Sequence, residues 1–488
     1  MADMGKRMTT DFWAGVLRDT WGIEAALTRL DVEYELNILA EAADGTCFIL
    51  KAMRPGCAAS LVEMQTQALQ HLAAAGLPFP KVIRTGGGEA IAEVADEDGE
   101  TRLVWLLERL PGRCYAKAAP KTLPLIRELG GILGRTAKAL KGFDHPELHK
   151  EFKWDLMQAG WITPQLDCIT DLGRREILDS ICAEFAKLET GLAALPKQAI
   201  HNDANDYNIL VAGELSEPRR ISGLIDLGDM CAAPRICDLA IAAAYIVLDH
   251  PEPDQALAAL TALTAGYHAE NPMSAEETAL IWPLLRMRLA VSVVNSTLMA
   301  AENPDDPYIT ISQAPAWRFL EGHDLNAALL TARLRSACGM PLAQGADRVL
   351  AYLETESGQF AQVMGEDLQD APMGSLSVEE STWPQNPFDL PLAEAARIGE
   401  EFGDGIWLGY YGEPRLIYTA PAFRKGPWQA SNRRTVHLGV DIFAPAGRAV
   451  QAPLAGTVAA IENRTGHLDY GGMIILRHET PEGDTFFT

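Results

Sequence analysis

The sequence predicts an α+β protein of two or three domains, and three observations carry that expectation. Strand-like runs between Tyr34 and Leu110 give way to helical periodicity over Leu123–Leu140 and Arg174–Leu195. A polar cluster from His201 to Asn208 sits between two short apolar runs, Gln198-Ala199-Ile200 and Ile209-Leu210-Val211, which read as buried strands flanking a loop. Beyond Gly365 the periodicity fades, and from about residue 400 short strand-like runs alternate with turn residues. A chain of 488 residues has the length for this organisation.

Taken in order, residues 10–30 read as one helix, with Phe12, Val16 and Leu17 on one side. Tyr34–Leu39 and Cys47–Lys51 read as strands joined by a turn at Ala43-Asp44-Gly45-Thr46. Ser60-Leu61-Val62-Glu63 opens a helix whose Leu61, Ala68, Leu69 and Leu72 share a face, and it has the spacing of a capping box. Ser274-x-x-Glu277 has the same spacing and starts a long helix running to about Ala300. Its polar residues Arg286, Arg288, Ser292 and Asn295 either line a pocket or satisfy one another between helices. Residues 366–390 read as a linker, followed by strands at Leu416–Thr419, Ala449–Pro453, Gly456–Ile461 and Met473–His478.

Composition narrows the classes. Hydrophobic residues make up 48% of the chain, yet no apolar run approaches the about 20 residues that span a bilayer. The start carries no apolar segment of a secretory signal. Eight scattered cysteines with no C-x-x-C pair suit neither a zinc cage nor a disulfide framework, so a reduced, cytoplasmic protein is expected. A net charge of −25 argues against binding nucleic acid through its phosphates.

The chemistry concentrates at two loop ends. Asp203 and Asn208 lie five residues apart, and a second apolar run, Ile221–Ile225, ends in Asp226-Leu227-Gly228-Asp229. Strands that each deliver an Asp or Asn at their ends bring oxygen ligands to one point. That suits phosphoryl transfer, in which one carboxylate orients a hydroxyl and takes its proton while an Asn and a second Asp hold Mg²⁺ on the nucleotide phosphates.

His201-x-Asp203-x-x-x-x-Asn208 followed by Ile225-Asp226-x-Gly228-Asp229 resembles the aminoglycoside phosphotransferase and choline kinase superfamily, relatives of protein kinases. The fuller wording, from His201 to Val211, is most similar to its hydroxylysine kinase branch. The resemblance implies a bilobal protein-kinase-like domain, with a small lobe over residues 1–110 and a large helical lobe over 111–362. It implies Asp203 as catalytic base, Asn208 and Asp226 as Mg²⁺ ligands, and ATP or GTP as donor. Lys51 would grip the phosphates (its alternative is an edge-strand lysine in water). Glu63 is either its partner or the capping-box residue, and Glu108 belongs to the hinge beside the nucleotide base. The kinase glycine-rich loop is missing from Leu36–Ala40. On the acceptor side stand Trp154, Asp155, Asp206 and Arg288, with Asp155 holding an ammonium or, alternatively, capping a helix behind a core Trp154. His201, Asp229 and Asp238 would brace the loops. The implied substrate is a small amino alcohol or hydroxylated amino acid, with an aminoglycoside, choline or homoserine as alternative acceptors and a metallopeptidase or non-catalytic scaffold as the readings outside the kinase class, and a homo-oligomer is compatible with this.

A second resemblance covers the end of the chain. After a linker over 363–395, residues 396–488 carry His437-Leu438-Gly439-Val440-Asp441, similar to the H-x-x-x-D zinc motif of the LytM-like peptidase family (M23). His437 and Asp441 would be its first zinc ligands. The family's remaining histidines are not in this sequence, and Zn²⁺ needs a third protein ligand, so neither zinc nor peptidase activity is expected. The sequence stops at Phe486-Phe487-Thr488, inside a strand-like run, so the expectation is an incomplete β domain in a longer polypeptide. Gly409–Tyr418 resembles part of a bacterial fusion of kinase-like, M23-like and class III, PLP-dependent aminotransferase-like modules. That resemblance implies a downstream module that eliminates phosphate from the kinase product.

Overall fold

A computed structural model describes residues 10–30, 35–213, 217–303, 307–322, 326–343, 345–379, 405–423 and 434–488. Its contacts divide the chain into Met1–Leu342 and Ala343–Thr488. That division falls within the stretch assigned above to the large lobe. Residues 380–395 of the expected linker lie outside the described residues.

The first unit opens with helix α1 (Thr10–Trp21) and strand β1 (Ala25–Leu30), not with one helix over 10–30. Gly22 explains the difference. It sits at φ 69°, a left-handed conformation that glycine adopts without strain, and its N–H closes the last turn on Arg18. The chain then pairs β1 antiparallel to β2 (Leu36–Ala42). The hairpin β2–β3 (Cys47–Ala52) turns through Gly45.

Helix α2 (Ala59–Ala74) follows, then β4 (Val82–Ile83), β5 (Ala92–Ala95) and β6 (Thr101–Glu108). Among the described residues these strands form one sheet in the order β1-β2-β3-β6-β4, with β5 also on β6. Alternation sorts its faces. Leu50, Ala52, Val104 and Leu106 pack under Trp13, Leu17 and Trp21 of α1, so Lys51 and Trp105 point to the opposite face.

The expected capping box of α2 does not form. Ala58 is the N-cap and makes no side-chain cap bond, because the Ser60 hydroxyl is bonded to Glu147 instead. The box at Ser274 does form and starts the long helix Ala275–Glu302.

The large lobe runs through β7 (Arg113–Cys114), α3 (Leu123–Leu140), α4 (Leu172–Ala193), β8 (Lys197–Ile200), β9 (Ile209–Ala212), β10 (Arg220–Leu224) and β11 (Cys231–Pro234). Helices α5 (Arg235–Ile246), α6 (Pro253–Glu270), α7 (Ala275–Glu302), α8 (Gln313–Gly322) and α9 (Ala327–Ala337) complete it. Among the described residues α7 alone is long and apolar enough to cross a membrane, but 67% of that window is buried inside the protein, so its hydropathy belongs to a core helix.

Helices α3 and α6 touch backbone to backbone. A Cβ on Gly266 would stand 2.0 Å from the Arg127 carbonyl oxygen, and one on Gly130 would stand 2.0 Å from that of Leu263. Gly266→Ala is therefore expected to cost about 1–3 kcal/mol through overpacking and to lower Tm by several degrees in a thermal melt. Gly191→Ala in α4, where nothing lies within 4 Å, is the control and should leave Tm unchanged or slightly raised. Equal Tm values for the two variants would remove the close contact.

The second unit holds α10 (Ala346–Glu356) and strands β12 (Met373–Gly374), β13 (Trp407–Gly409), β14 (Glu413–Pro414), β15 (Val436–His437) and β16 (Ile442–Phe443). An antiparallel sheet of β17 (Thr457–Arg464), β18 (Gly471–Glu479) and β19 (Thr485–Phe487) closes it. Leu416–Thr419 is a 3-10 turn and Ala449–Pro453 is irregular, so neither forms the strand read from its apolar residues. Four- and five-residue apolar runs do not distinguish a strand from a packed turn.

Candidate active site

Two hairpin-like pairings bring the loops together. β9 pairs with β10 so that Leu224 faces Ile209, and β8 pairs with β11 so that Ile200 faces Cys231. The loop over 201–208 thus leaves β8 beside the loop over 225–230, and the Ile225 N–H donates to the Asn208 carbonyl at 3.0 Å. Asn202 (φ 65°) and Asp226 (φ 68°) hold left-handed conformations, one in each loop. Asn and Asp tolerate that region better than other L residues.

His201 joins the two. It is fully buried, its Nδ1 accepts from the Asp203 N–H at 3.3 Å, and its Nε2 donates to the Ile225 carbonyl at 3.1 Å. Burial holds its pKa below the usual histidine value, against the pull of Asp238 and Asp226, so the neutral ring keeps both roles. Asn202 donates its N–H to buried Asp238 at 2.8 Å and its side-chain amide to the Asp229 carbonyl at 3.0 Å. Burial raises the Asp238 carboxyl.

Asp203 lies at the centre. Its Oδ2 accepts from Asn208 Nδ2 at 2.8 Å and Asn205 Nδ2 at 3.0 Å, and its Oδ1 accepts from Arg288 Nη2 at 3.0 Å. Burial pushes this carboxyl well above the usual range, and Arg288 opposes the shift. Asn205 was not singled out by sequence reasoning. Its Oδ1 accepts the N–H groups of Tyr207 (2.8 Å) and Asn208 (3.1 Å), a local Asx turn that fixes the loop.

Arg288 corrects its acceptor-side assignment. It is 2% exposed, and besides Asp203 it donates to the Trp154 carbonyl (3.1 Å) and the Tyr245 hydroxyl (3.3 Å), with its guanidinium 4.6 Å from the Trp154 ring. Each of its three nitrogens thus has a partner inside the protein. Asp155 caps the 3-10 segment Leu156–Cys168 by accepting from the Met157 N–H at 2.9 Å, and it takes a further bond from Gln158. Asp155 is buried and its carboxylate is committed to that cap.

Lys51, 7% exposed, has Glu35 Oε2 at 3.3 Å, Asp226 Oδ1 at 3.9 Å and the Trp105 ring at 5.5 Å. Glu63 is exposed on α2, and Glu35 stands where it was expected. The hairpin register held the signal. Asn37 faces Lys51 across the ladder, so Glu35, two residues earlier, shares that face on the diagonal. Glu108 ends β6, with its N–H on the Lys81 carbonyl (2.8 Å) and its carboxylate 3.7 Å from Lys81 Nζ. Asp206 is half-buried, and burial followed by the Asp249 charge pushes it up to about 6.

The donor set suits Mg²⁺. Asn208 spends its Nδ2 on Asp203, which leaves Oδ1 as a neutral oxygen donor. Asp226 is half-exposed at the next loop, its pKa held low chiefly by Lys51. No group of three or more His, Cys, Asp or Glu side chains that could hold a metal exists among the described residues. One carboxylate and one amide are still sufficient for an ion that draws its other ligands from water and phosphate.

Residues 28–273 match the model of the phosphotransferase enzyme family. The chain belongs to that family. Hydroxylysine kinase of Mus musculus is 29% identical to this phosphotransferase over 276 residues, covering 54% of the chain and 72% of the relative. Homoserine kinase of Pseudomonas aeruginosa is 29% identical over 231 residues, covering 46% and 66%. The fold is shared with amicoumacin kinase hAmiN, solved in complex with AMP-PNP, Ca²⁺ and Ami, at a TM-score of 0.50 and 15% identity over 65% of this chain and 96% of that one.

In the second unit His437 Nε2 lies 3.3 Å from Asp441 Oδ1, and its Nδ1 meets the Tyr418 hydroxyl at 2.9 Å. The other Asp441 oxygen is held at 2.6 Å by Arg415, which also grips Glu413 with two nitrogens. Zn²⁺ takes at least three protein ligands, and His437 and Asp441 supply two.

Proposed function

We propose that this phosphotransferase moves the γ-phosphoryl group of ATP or GTP to the hydroxyl of a small amino alcohol or hydroxylated amino acid. The main support is the state of Asp203, a carboxylate fixed by three side-chain donors beside the loop that carries Asp226 and, through it, Lys51. Asp203 would orient the acceptor hydroxyl and take its proton as the oxygen–phosphorus bond forms and the bond to the nucleoside diphosphate breaks. Lys51 would neutralise the phosphates from the small lobe, and Asn208 and Asp226 would hold Mg²⁺. The ion, when bound, would supply charge neutralisation on the phosphate oxygens. Both curated relatives are named for phosphorylating a hydroxyl-bearing amino acid, which favours that acceptor class over aminoglycosides or choline.

In the same reading the second unit is a LytM-like β module without zinc. A PLP-dependent module in the same polypeptide would then consume the phosphorylated product by eliminating phosphate. The test is a diphosphate-release assay with Mg²⁺ and either nucleotide, run across 5-hydroxylysine, homoserine, ethanolamine, choline and an aminoglycoside. Turnover should be greatest with 5-hydroxylysine or another short amino alcohol. No acceptor-dependent release with any compound would remove the reading.

A further inference from the structure

Helix α7 carries a polar stripe through the large lobe. Arg288, Ser292 and Asn295 follow at i, i+4 and i+7, so they share one face, and all three are buried. The Arg288 end of the stripe reaches Asp203, Nη2 to Oδ1, at 3.0 Å. At the other end Asn295 Oδ1 accepts from Lys153 Nζ at 2.9 Å. Two turns of helix set those ends about 10 Å apart. The turn Phe152–Asp155, closed by the Asp155 N–H on the Phe152 carbonyl, lies along this face. Its Trp154 carbonyl is held by Arg288 at 3.1 Å and its Lys153 carbonyl by the Trp161 indole N–H at 2.9 Å. The main chain that aims Lys153 is therefore fixed on both sides. The Trp154 ring, 4.6 Å from the guanidinium, stands between the two ends.

The two ends have opposite needs. Asp203 offers acceptor oxygens, whereas the far end has N–H donors in excess. The Lys153 ammonium gives one donor to the neutral Asn295 and makes no ion pair with any described residue. Asn295, 4% exposed, spends its side-chain NH₂ on the Met299 thioether at 3.1 Å, a weak acceptor. Lys153 is exposed, so a ligand reaches this corner from solvent. One anionic group that accepts several N–H bonds satisfies both side chains, and a carboxylate is such a group. An amino acid hydroxylated on its fourth or fifth carbon holds its hydroxyl about 5–6 Å from its carboxylate. With a hydrogen bond of about 2.8 Å at each end it spans about 11 Å, the length of the stripe. We infer that Lys153 and Asn295 seat the carboxylate of the acceptor while its hydroxyl rests on Asp203, with its carbon chain along Trp154. This rests on the kinase reading above and adds to it the residues that select a carboxylate-bearing alcohol.

The test compares 5-hydroxylysine and homoserine with their carboxamides, which keep the length and lose the charge. The wild-type protein should prefer the better acid over its carboxamide by about 10–100-fold in kcat/KM, the worth of one charge-assisted hydrogen-bonded contact. Lys153→Gln should bring that preference to within about threefold of unity, through the acceptor KM, with the nucleotide KM unchanged. Lys153→Arg, which keeps the cation, should retain most of it. A purely structural role would move kcat, nucleotide KM and Tm without touching the ratio between acid and carboxamide. A Lys153→Gln protein that keeps the wild-type ratio, or loses acid and carboxamide alike, overturns the carboxylate seat and leaves the kinase reading standing. Wild-type turnover of ethanolamine as efficient as that of either acid does the same. Absence of turnover by the wild-type protein with every alcohol overturns both.

Discussion

Asp203→Asn is expected to lower kcat by about 10²–10⁴-fold, the usual worth of a positioned general base, with nucleotide affinity nearly unchanged. The geometry makes the substitution severe for its size. Asp203 Oδ2 receives two amide donors, from Asn205 and Asn208, and Oδ1 receives Arg288, so an Asn at this position must turn its own NH₂ toward a donor on one side. The loop stays tied by main-chain bonds at His201 and Asn202, and Lys51 and Asp226 are untouched. Steady-state kinetics with a nucleotide titration separate the two effects. Wild-type kcat in the variant would remove Asp203 as the base.

Arg288→Met is expected to lower both turnover and stability. The guanidinium is buried against a carboxylate of which only 20% of the side chain is exposed, and removing one partner of such a pair typically costs about 3–5 kcal/mol. Tm should fall by about 10 °C for a unit of this size. The pH profile carries the sign. Arg288 pulls the Asp203 carboxyl down against burial, so its loss raises that pKa further. A base must be deprotonated to act, so the acidic limb of kcat should move to higher pH. Above that raised pKa, adding Asp203→Asn to Arg288→Met removes the stranded charge, so in alkaline buffer the double variant should melt above Arg288→Met alone. A double variant that melts lower, or an acidic limb that stays in place, would show that the pair does not act as described.

The two loop ends were legible because the spacing of Asp203, Asn208 and Asp226 is local, and a hairpin carries that spacing directly into space. Their supports were not. Arg288 is 85 residues from Asp203, and nothing near either residue announces the pair, although an Arg set among the apolar residues of α7 already demanded a counter-charge. Glu35 escaped for a milder reason. It was visible only after setting the register of the β2–β3 hairpin, while Glu63 offered a more familiar spacing. Ser60 and Glu63 had a good local pattern that was overridden by one tertiary bond to Glu147. Helical periodicity likewise ran past Gly22, where one residue ended the helix and turned the chain into a sheet.

His201 has a consequence for how such a protein can diversify. Its Nδ1 holds the Asp203 N–H in its own loop and its Nε2 reaches the Ile225 carbonyl in the other, a staple that makes the phosphate-handling apparatus a single piece that tolerates little drift. The neighbouring walls come from elsewhere, Tyr115 from a turn before α3 and Trp154 from just ahead of a 3-10 segment, and each meets that piece through main-chain groups, the Ala116 N–H on Asp206 and the Trp154 carbonyl on Arg288, rather than through its own ring. Substitutions in those walls can therefore re-tailor which alcohol is accepted while the transfer step is inherited intact.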